Sequence, residues 1–362
     1  MPIVSFVDNE FQDRSTTPRP GEELPLPQLE RFLKSRFTGT PGPLTVSQFP
    51  SGHSNLTYLL RLGDQEMVLR RPPFGSHVKT AHDMGREFRV LSKLHAAYPA
   101  APRVLFYCDD AAILGAPFYI MERIPGIILR KDPPAGLSFS PEIARRLSEA
   151  FIENLARLHS LDYQAIGLGD LGKPQGYLER QVRGWIERYS GSKTHDLPGV
   201  DRISNWLQER IPSSQAATLV HNDYKYDNLI LDSADIAQVV GVLDWEMSTI
   251  GDPLSDLGTM LAYWMDVSDP PEWECIRWCP SNYPGSMTRR QLVERYAQIT
   301  GRDVTAMVFY VTFARFKVAV ILQQIYFRYQ QGLTQDHRFA ALPAQISMMM
   351  QAAMDAMETG RI

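Results

Sequence analysis

The chain has 362 residues, 37 of them Lys or Arg and 41 Asp or Glu, for a formal net charge of -4. This balance excludes the strongly basic footprint of a protein that coats nucleic acid or an anionic membrane, and 44% hydrophobic with 22% charged residues excludes a disordered or fibrous chain. At this length a single core is strained, so one large domain, or two lobes with a ligand-binding crevice between them, is expected.

Residues 1–25 are rich in proline and polar groups and are expected to form an arm; no secretory leader is visible there. Residues 27–37 place Leu29, Phe32, Leu33 and Phe37 on one face and predict a first helix. Three short runs of strand character follow, 44–49, 56–62 and 66–71, separated by turns at Ser51-Gly52 and Gly63-Asp64, which predicts an antiparallel meander. Residues 83–97 carry Phe88, Leu91 and Leu94 at helical spacing, and strand character returns at 103–107 and 117–121.

Beyond Pro125-Gly126 the pattern is helical. Ser140 as N-cap, Pro141 and Glu142 start a helix that runs to Leu158. Further helices are predicted at 176–189, 202–209 and 288–299, the last opening on a Thr288/Gln291 capping box and ending at Gly301. The run 304–326 is apolar enough to suggest a membrane span. Arg315 and Lys317 near its middle would each cost about 2.5–3.5 kcal/mol in a bilayer, so a buried helix of a soluble lobe is expected instead. Cys108, Cys275 and Cys279 cannot build a disulfide framework, which suits a reducing, cytoplasmic setting.

Two short strand-like runs, 228–231 and 239–243, interrupt the helices, and the polar residues cluster beside them. His221, Asp223 and Asn228 lie in a loop that enters the first run, and Asp244 ends the second. Pairing of the runs would bring two carboxylates and an amide together at one end of a hairpin. Magnesium favours such a set: one or two oxygen ligands from protein, with water and substrate phosphates completing the shell.

His-x-Asp-x-x-x-x-Asn, an apolar strand and then Asp resembles the catalytic and metal loops of kinase-like phosphotransferases, here the aminoglycoside phosphotransferase and choline kinase branch, with Asp-Trp-Glu at 244–246. The resemblance covers roughly 30–340 and implies ATP and magnesium as cofactors. It makes Asp223 the residue that orients the acceptor hydroxyl and takes its proton, and makes Asn228 and Asp244 the magnesium ligands. His221 would support the loop from behind. It also implies a phosphate-covering turn at 49–57, with Ser51, Gly52, Ser54 and Asn55 toward the nucleotide. Arg70 would be the phosphate-binding cation paired with Glu87, Arg71 being the other candidate and strand alternation favouring Arg70. Residues 119–124 would be the hinge, where Met121, Glu122, Arg123 and Ile124 hold the base. Asp256, in Gly-Asp-Pro-Leu-Ser-Asp-Leu at 251–257, resembles an aspartate that receives backbone amides of the catalytic loop.

The segments 239–264 and 221–228 further resemble phosphotransferases fused to, or encoded beside, acyl-CoA dehydrogenases, a group associated with 4-hydroxyacyl-CoA thioesters. An acyl-CoA dehydrogenase is therefore an implied pathway partner, alongside nucleotide and a small-molecule hydroxyl substrate, with no nucleic acid or membrane. Glu246 is either a second metal contact or a surface charge. Trp245, Trp264, Trp273 and Trp278 are read first as core residues of the helical lobe rather than walls of an acceptor pocket.

The expected fold is α+β and bilobal, protein-kinase-like: an arm at 1–25, a nucleotide-binding lobe of antiparallel sheet with one main helix at 26–124, and a mostly helical lobe at 125–362. The expected function is ATP- and magnesium-dependent phosphorylation of a small-molecule hydroxyl. The alternatives are an aminoglycoside or macrolide antibiotic kinase and a non-catalytic nucleotide-binding scaffold.

Overall fold

The structure, a computed structural model, describes residues 11–37, 40–50, 55–74, 83–213, 217–334 and 336–362. The chain divides into two compact units: a sheet unit, comprising the chain up to Ile128 with Asn228–Glu246, and a helical unit, Leu129–Asp227 with Met247–Ile362. The architecture is α+β, an antiparallel N-terminal sheet followed by a mostly helical part.

In the sheet unit, helix α1 (Leu26–Arg36) leads into strands β1 (Leu44–Gln48), β2 (Leu56–Leu62) and β3 (Gln65–Arg71). Helix α2 (Met84–Leu94), β4 (Val104–Cys108), a turn of helix α3 (Ala111–Leu114) and β5 (Phe118–Glu122) follow. The strands order as β1-β2-β3-β5-β4, every neighbouring pair antiparallel.

Alternation gives the sheet two unlike faces. Tyr58, Leu60, Leu62, Met67, Leu69, Phe118 and Ile120 pack with Leu29 and Leu33 of α1 into one core. The opposite face carries Leu59, Val68 and Met121 in one register row and Arg70 with Tyr119 in another. Strands β7 (Leu229–Leu231) and β8 (Val239–Val242) form a hairpin that packs in this unit, although the sequence groups it with the helical lobe. Its anchor is backbone pairing between Ile127 and Leu231 at 2.8 and 2.9 Å. A Cβ on Gly126 would lie 2.4 Å from both Ile230 Cγ2 and the Leu231 carbonyl, so only glycine permits this approach.

Residues 11–25, read from sequence as an arm, are packed. Thr16 pairs with Gln48 through two backbone hydrogen bonds of 2.7 and 2.8 Å, Tyr58 donates to the Glu22 carbonyl at 2.7 Å, and Leu24 enters the core.

The helical unit contains α4 (Pro141–His159), α5 (Tyr177–Ser192), α6 (Val200–Glu209), α7 (Pro253–Tyr263), α8 (Arg289–Thr300), α9 (Met307–Gln330) and α10 (Leu342–Thr359). A small ladder joins β6 (Thr218–Val220) to β9 (Thr249–Gly251). The Ser140 cap and the Thr288/Gln291 capping box form as expected, and Gly301 closes α8 in the left-handed conformation. Helix α9 is long and apolar enough to cross a membrane, but 72% of its apolar window is buried against neighbours that include α10, α7 and α5. The two short strands of the β6/β9 ladder and α10 have no counterpart in the sequence reading. Three-residue strands carry too few side chains to show a period; α10 has Pro343 in its first turn and stops at a left-handed Gly360, signals the sequence reading passed over.

Candidate active site

Each unit carries part of the expected site, and each part is built locally. In the sheet unit the centre is Arg70, whose residue is 7% exposed. Its Nη1 donates to Glu87 Oε1 at 3.0 Å and its Nη2 to Asp244 Oδ1 at 2.9 Å. The Trp245 backbone N–H donates to the same Glu87 oxygen at 3.1 Å. Arg71 faces the other way, with its guanidinium 3.6 Å from the centre of the Phe74 ring. The alternation of β3 therefore selects between the two arginines.

Burial alone would lower the Arg70 guanidinium, but the charges of Glu87, Tyr119 and Asp244 raise it well above its ordinary value. Burial raises the Glu87 carboxyl, and the Arg70 charge only partly offsets that. A cation is thus held permanently between two carboxylates on the sheet face, a fork suited to phosphate oxygens.

Asn228 and Asp244 flank one end of the β7/β8 hairpin, where Leu243 N–H donates to the Asn228 carbonyl at 2.8 Å. Asp244 holds φ at +67°, and the other described non-glycine residue with positive φ is Asn222, at +68°. Such conformations cost about 1 kcal/mol or more and persist where surrounding contacts enforce them. The donor set of one carboxylate and one amide oxygen is hard and fits magnesium.

Asn55 is buried and its Nδ2 donates to Glu246 Oε2 at 2.6 Å, while Arg86 donates to the Glu246 carbonyl at 3.0 Å. Glu246 therefore has a protein partner that neither sequence reading assigned to it. Met121 is buried in the Val68 row, and Ile124 packs on Gly241. The side chain of Glu122 is tied to Arg103 and its backbone N–H donates to the Arg103 carbonyl at 2.9 Å, while Arg123 pairs with Glu66. Ser51, Gly52 and Ser54 lie outside the described residues.

In the helical unit Asp223 sits in a tightly pinned loop. Asp256, wholly buried on α7, accepts the backbone N–H of His221 at 2.6 Å and of Asn222 at 2.7 Å, and meets His159 Nε2 at 3.1 Å. Asn222 is further held by Lys317 Nζ on its carbonyl at 3.2 Å and by Tyr177 OH on its side chain at 3.2 Å. Lys225 Nζ lies 3.3 Å from Asp223 Oδ2, 3.6 Å from Asp227 Oδ2 and 5.1 Å from the centre of the Tyr263 ring. Burial by itself would lower the Lys225 amine, and the Asp223 charge, with Tyr263 and Asp227, raises it instead.

Sequence reasoning passed over Lys225 and gave Lys317 no role at the loop. Lys225 stands inside the quoted motif. Lys317 was visible as a charge in an apolar helix, where burial lowers its amine. The tryptophans pack: Trp245 lies edge-on to Tyr98 and Trp264 stacks on Phe151, both essentially unexposed.

Burial alone would raise the Asp256 carboxyl, but the His159 hydrogen bond and the charges of His159 and His221 outweigh it and hold the group below its ordinary value. A depressed carboxyl contributes stability above its unfolded value and loses it as pH falls through the folded one. Asp256→Ala should therefore cost roughly 3 kcal/mol at neutral pH, since two buried amides lose their acceptor, and should flatten the stability curve below about pH 4. Denaturant unfolding of both chains across pH tests this; parallel acid limbs would refute it.

The family described as phosphotransferase enzyme family matches residues 45–274. Acyl-CoA dehydrogenase family member 10 of Mus musculus is 38% identical over 312 residues, which are 85% of this chain but 29% of that protein. The chain thus spans well under half the length of this curated relative. A solved structure from Ralstonia eutropha JMP134, provisionally described as an aminoglycoside phosphotransferase, is 31% identical with a TM-score of 0.78, covering 93% of this chain and 99% of that one. Choline kinase of Cryptosporidium parvum Iowa II shares the fold at 14% identity, with a TM-score of 0.61 over 92% of this chain and 96% of its own.

Proposed function

This chain belongs to the phosphotransferase enzyme family and is a small-molecule phosphotransferase, and on that footing we propose that it moves the γ-phosphate of ATP, with magnesium, to a hydroxyl of a small acceptor. The observation that carries this reading is the buried Arg70 fork, held by Glu87 at 3.0 Å and Asp244 at 2.9 Å on one face of the sheet. A guanidinium fork matches phosphate oxygens in shape and charge, and Glu87 fixes its direction on the sheet face.

In the reaction the acceptor oxygen forms a bond to the γ-phosphorus as the bond to the bridging oxygen of ADP breaks, and the hydroxyl proton passes to the Asp223 carboxylate. Phosphoryl transfer is largely dissociative, so Asp223 acts mainly by orienting the hydroxyl. Arg70 holds phosphate oxygens in place. Asn228 and Asp244 would hold magnesium, which when bound offsets charge on the phosphates.

The acceptor we propose is a hydroxyacyl-CoA thioester. Support comes from the likeness to a protein named for the acyl-CoA dehydrogenase family and from the motif at 239–264. Mass spectrometry of products after incubation with ATP or GTP and a panel of hydroxyacyl-CoAs, free hydroxy acids, aminoglycosides and macrolides tests it. A product 80 Da heavier in the thioester arm is the expected result, the mass of one transferred phosphoryl group; phosphorylation confined to an antibiotic would replace the acceptor class. Asp244→Ala should abolish magnesium-dependent turnover, and retained turnover would overturn the metal assignment.

A further inference from the structure

The sheet face that carries Arg70 also carries a half-open groove of about 440 Å³. Its walls come from two sources: Ser47, Leu59 and Arg61 of the sheet with Arg123 after it, and residues 12–17 of the N-terminal segment. Register places the groove on the same face as the phosphate fork. Leu59 pairs with Val68 and Val68 with Met121, while Arg70, two residues along β3 from Val68, points the same way.

The segment is tied down at both ends. Asp13 N–H donates to the Gly126 carbonyl at 3.4 Å, beyond β5, and Thr16 exchanges two backbone hydrogen bonds with Gln48 at the outer edge of β1. Ser15 and Ser47 share a hydroxyl hydrogen bond of 2.7 Å between these ends. Residues 13–16 therefore bridge from the chain beyond β5 to the edge of β1, a strap that lines one wall of the groove.

The chemistry under the strap is mixed. Leu59 is the buried floor, hydroxyls come from Ser15, Thr16, Thr17 and Ser47, and Arg61 and Arg123 share the carboxylate of Glu66. Hydroxyls and guanidinium groups around a groove suit the hydroxyls of a ribose and the polar edge of a base. The step from Val68 to Arg70, about 7 Å, places that ligand's phosphates at the fork.

We propose that residues 12–17 form the outer wall of the nucleoside subsite, so that a purine nucleotide bound on the Arg70 face is enclosed by the N-terminal strap. This rests on the nucleotide-dependent reading above. It makes the strap part of the binding machinery, so nucleotide affinity depends on residues that lie ahead of the span 45–274 matched by the family.

Two measurements with the non-hydrolysable probe AMP-PNP and magnesium test it. Hydrogen exchange of amides 12–17 in the unaltered chain should slow by about tenfold or more when the protein is saturated. Ser15→Trp, which fills the groove, should weaken AMP-PNP binding by about tenfold or more in calorimetry while the thermal midpoint stays unchanged. AMP-PNP binding that is lost in Arg70→Met, yet leaves strap exchange or the Ser15→Trp affinity unaltered, would overturn the strap's role alone. Failure of the unaltered chain to bind either AMP-PNP or its guanine counterpart would overturn the nucleotide reading with it.

Discussion

Asp223→Asn is expected to lower kcat by roughly 10²–10⁴-fold, the usual loss when a positioned acid–base group is removed, with little change in KM for ATP. The argument is local. Asp223 follows a residue whose carbonyl, amide and side chain are all pinned, by Lys317, Asp256 and Tyr177, so the loop keeps its shape when one carboxylate oxygen becomes an amide. Lys225 retains Asp227 at 3.6 Å, and the fold should stay within about 1 kcal/mol of the parent. Single-turnover kinetics separates the outcomes. A fall in the chemical step at constant nucleotide affinity is the expected one, and an unchanged step would remove Asp223 from the mechanism.

Arg70→Met should cost both stability and nucleotide binding. Truncating one partner of a buried ion pair typically costs about 3–5 kcal/mol because the other charge is stranded, and Glu87 is 1% exposed. The pH dependence follows from the sign of the Glu87 shift. Burial, the dominant cause, raises its carboxyl, and losing Arg70 raises it further. A carboxyl raised on folding favours the folded state at pH below its unfolded value, and that advantage is lost as pH climbs through the folded value. The variant should therefore be least handicapped near pH 4 and progressively weaker toward neutrality. Adding Glu87→Gln should restore much of the stability but none of the AMP-PNP affinity. Recovery of both would make Arg70 a structural residue only.

Much of this was readable in the chain itself. The spacing of Asp223, Asn228 and Asp244 around two apolar runs identified the hairpin before any coordinates, because short-range pattern and turn chemistry are written in neighbouring residues. The Ser140 and Thr288 caps were legible for the same reason, each depending on residues within one helical turn. Strand alternation favoured Arg70 over Arg71, and the structure shows Arg70 against Glu87, 17 positions away.

Other features had no local signal. Residues 11–25 look like a polar, proline-rich arm, yet they pack because Gln48 at a sheet edge offers unpaired backbone groups. Lys317 looked like a reason to reject a membrane helix, and its partner, the carbonyl of Asn222, is 95 positions away.

What the sequence by itself determined is the alternation of sheet and helical parts, from composition and period, and the order of the chemical parts, from motifs whose resemblance to a known family lies in neighbouring residues. Tertiary structure alone decided that the hairpin packs with the sheet unit, that residues 12–17 line a groove on the Arg70 face, and that Lys317 holds the Asn222 carbonyl. Each of these is a contact between residues far apart in the chain, settled by which unpaired backbone groups and buried charges find partners when the core closes, a competition that no short window of sequence contains.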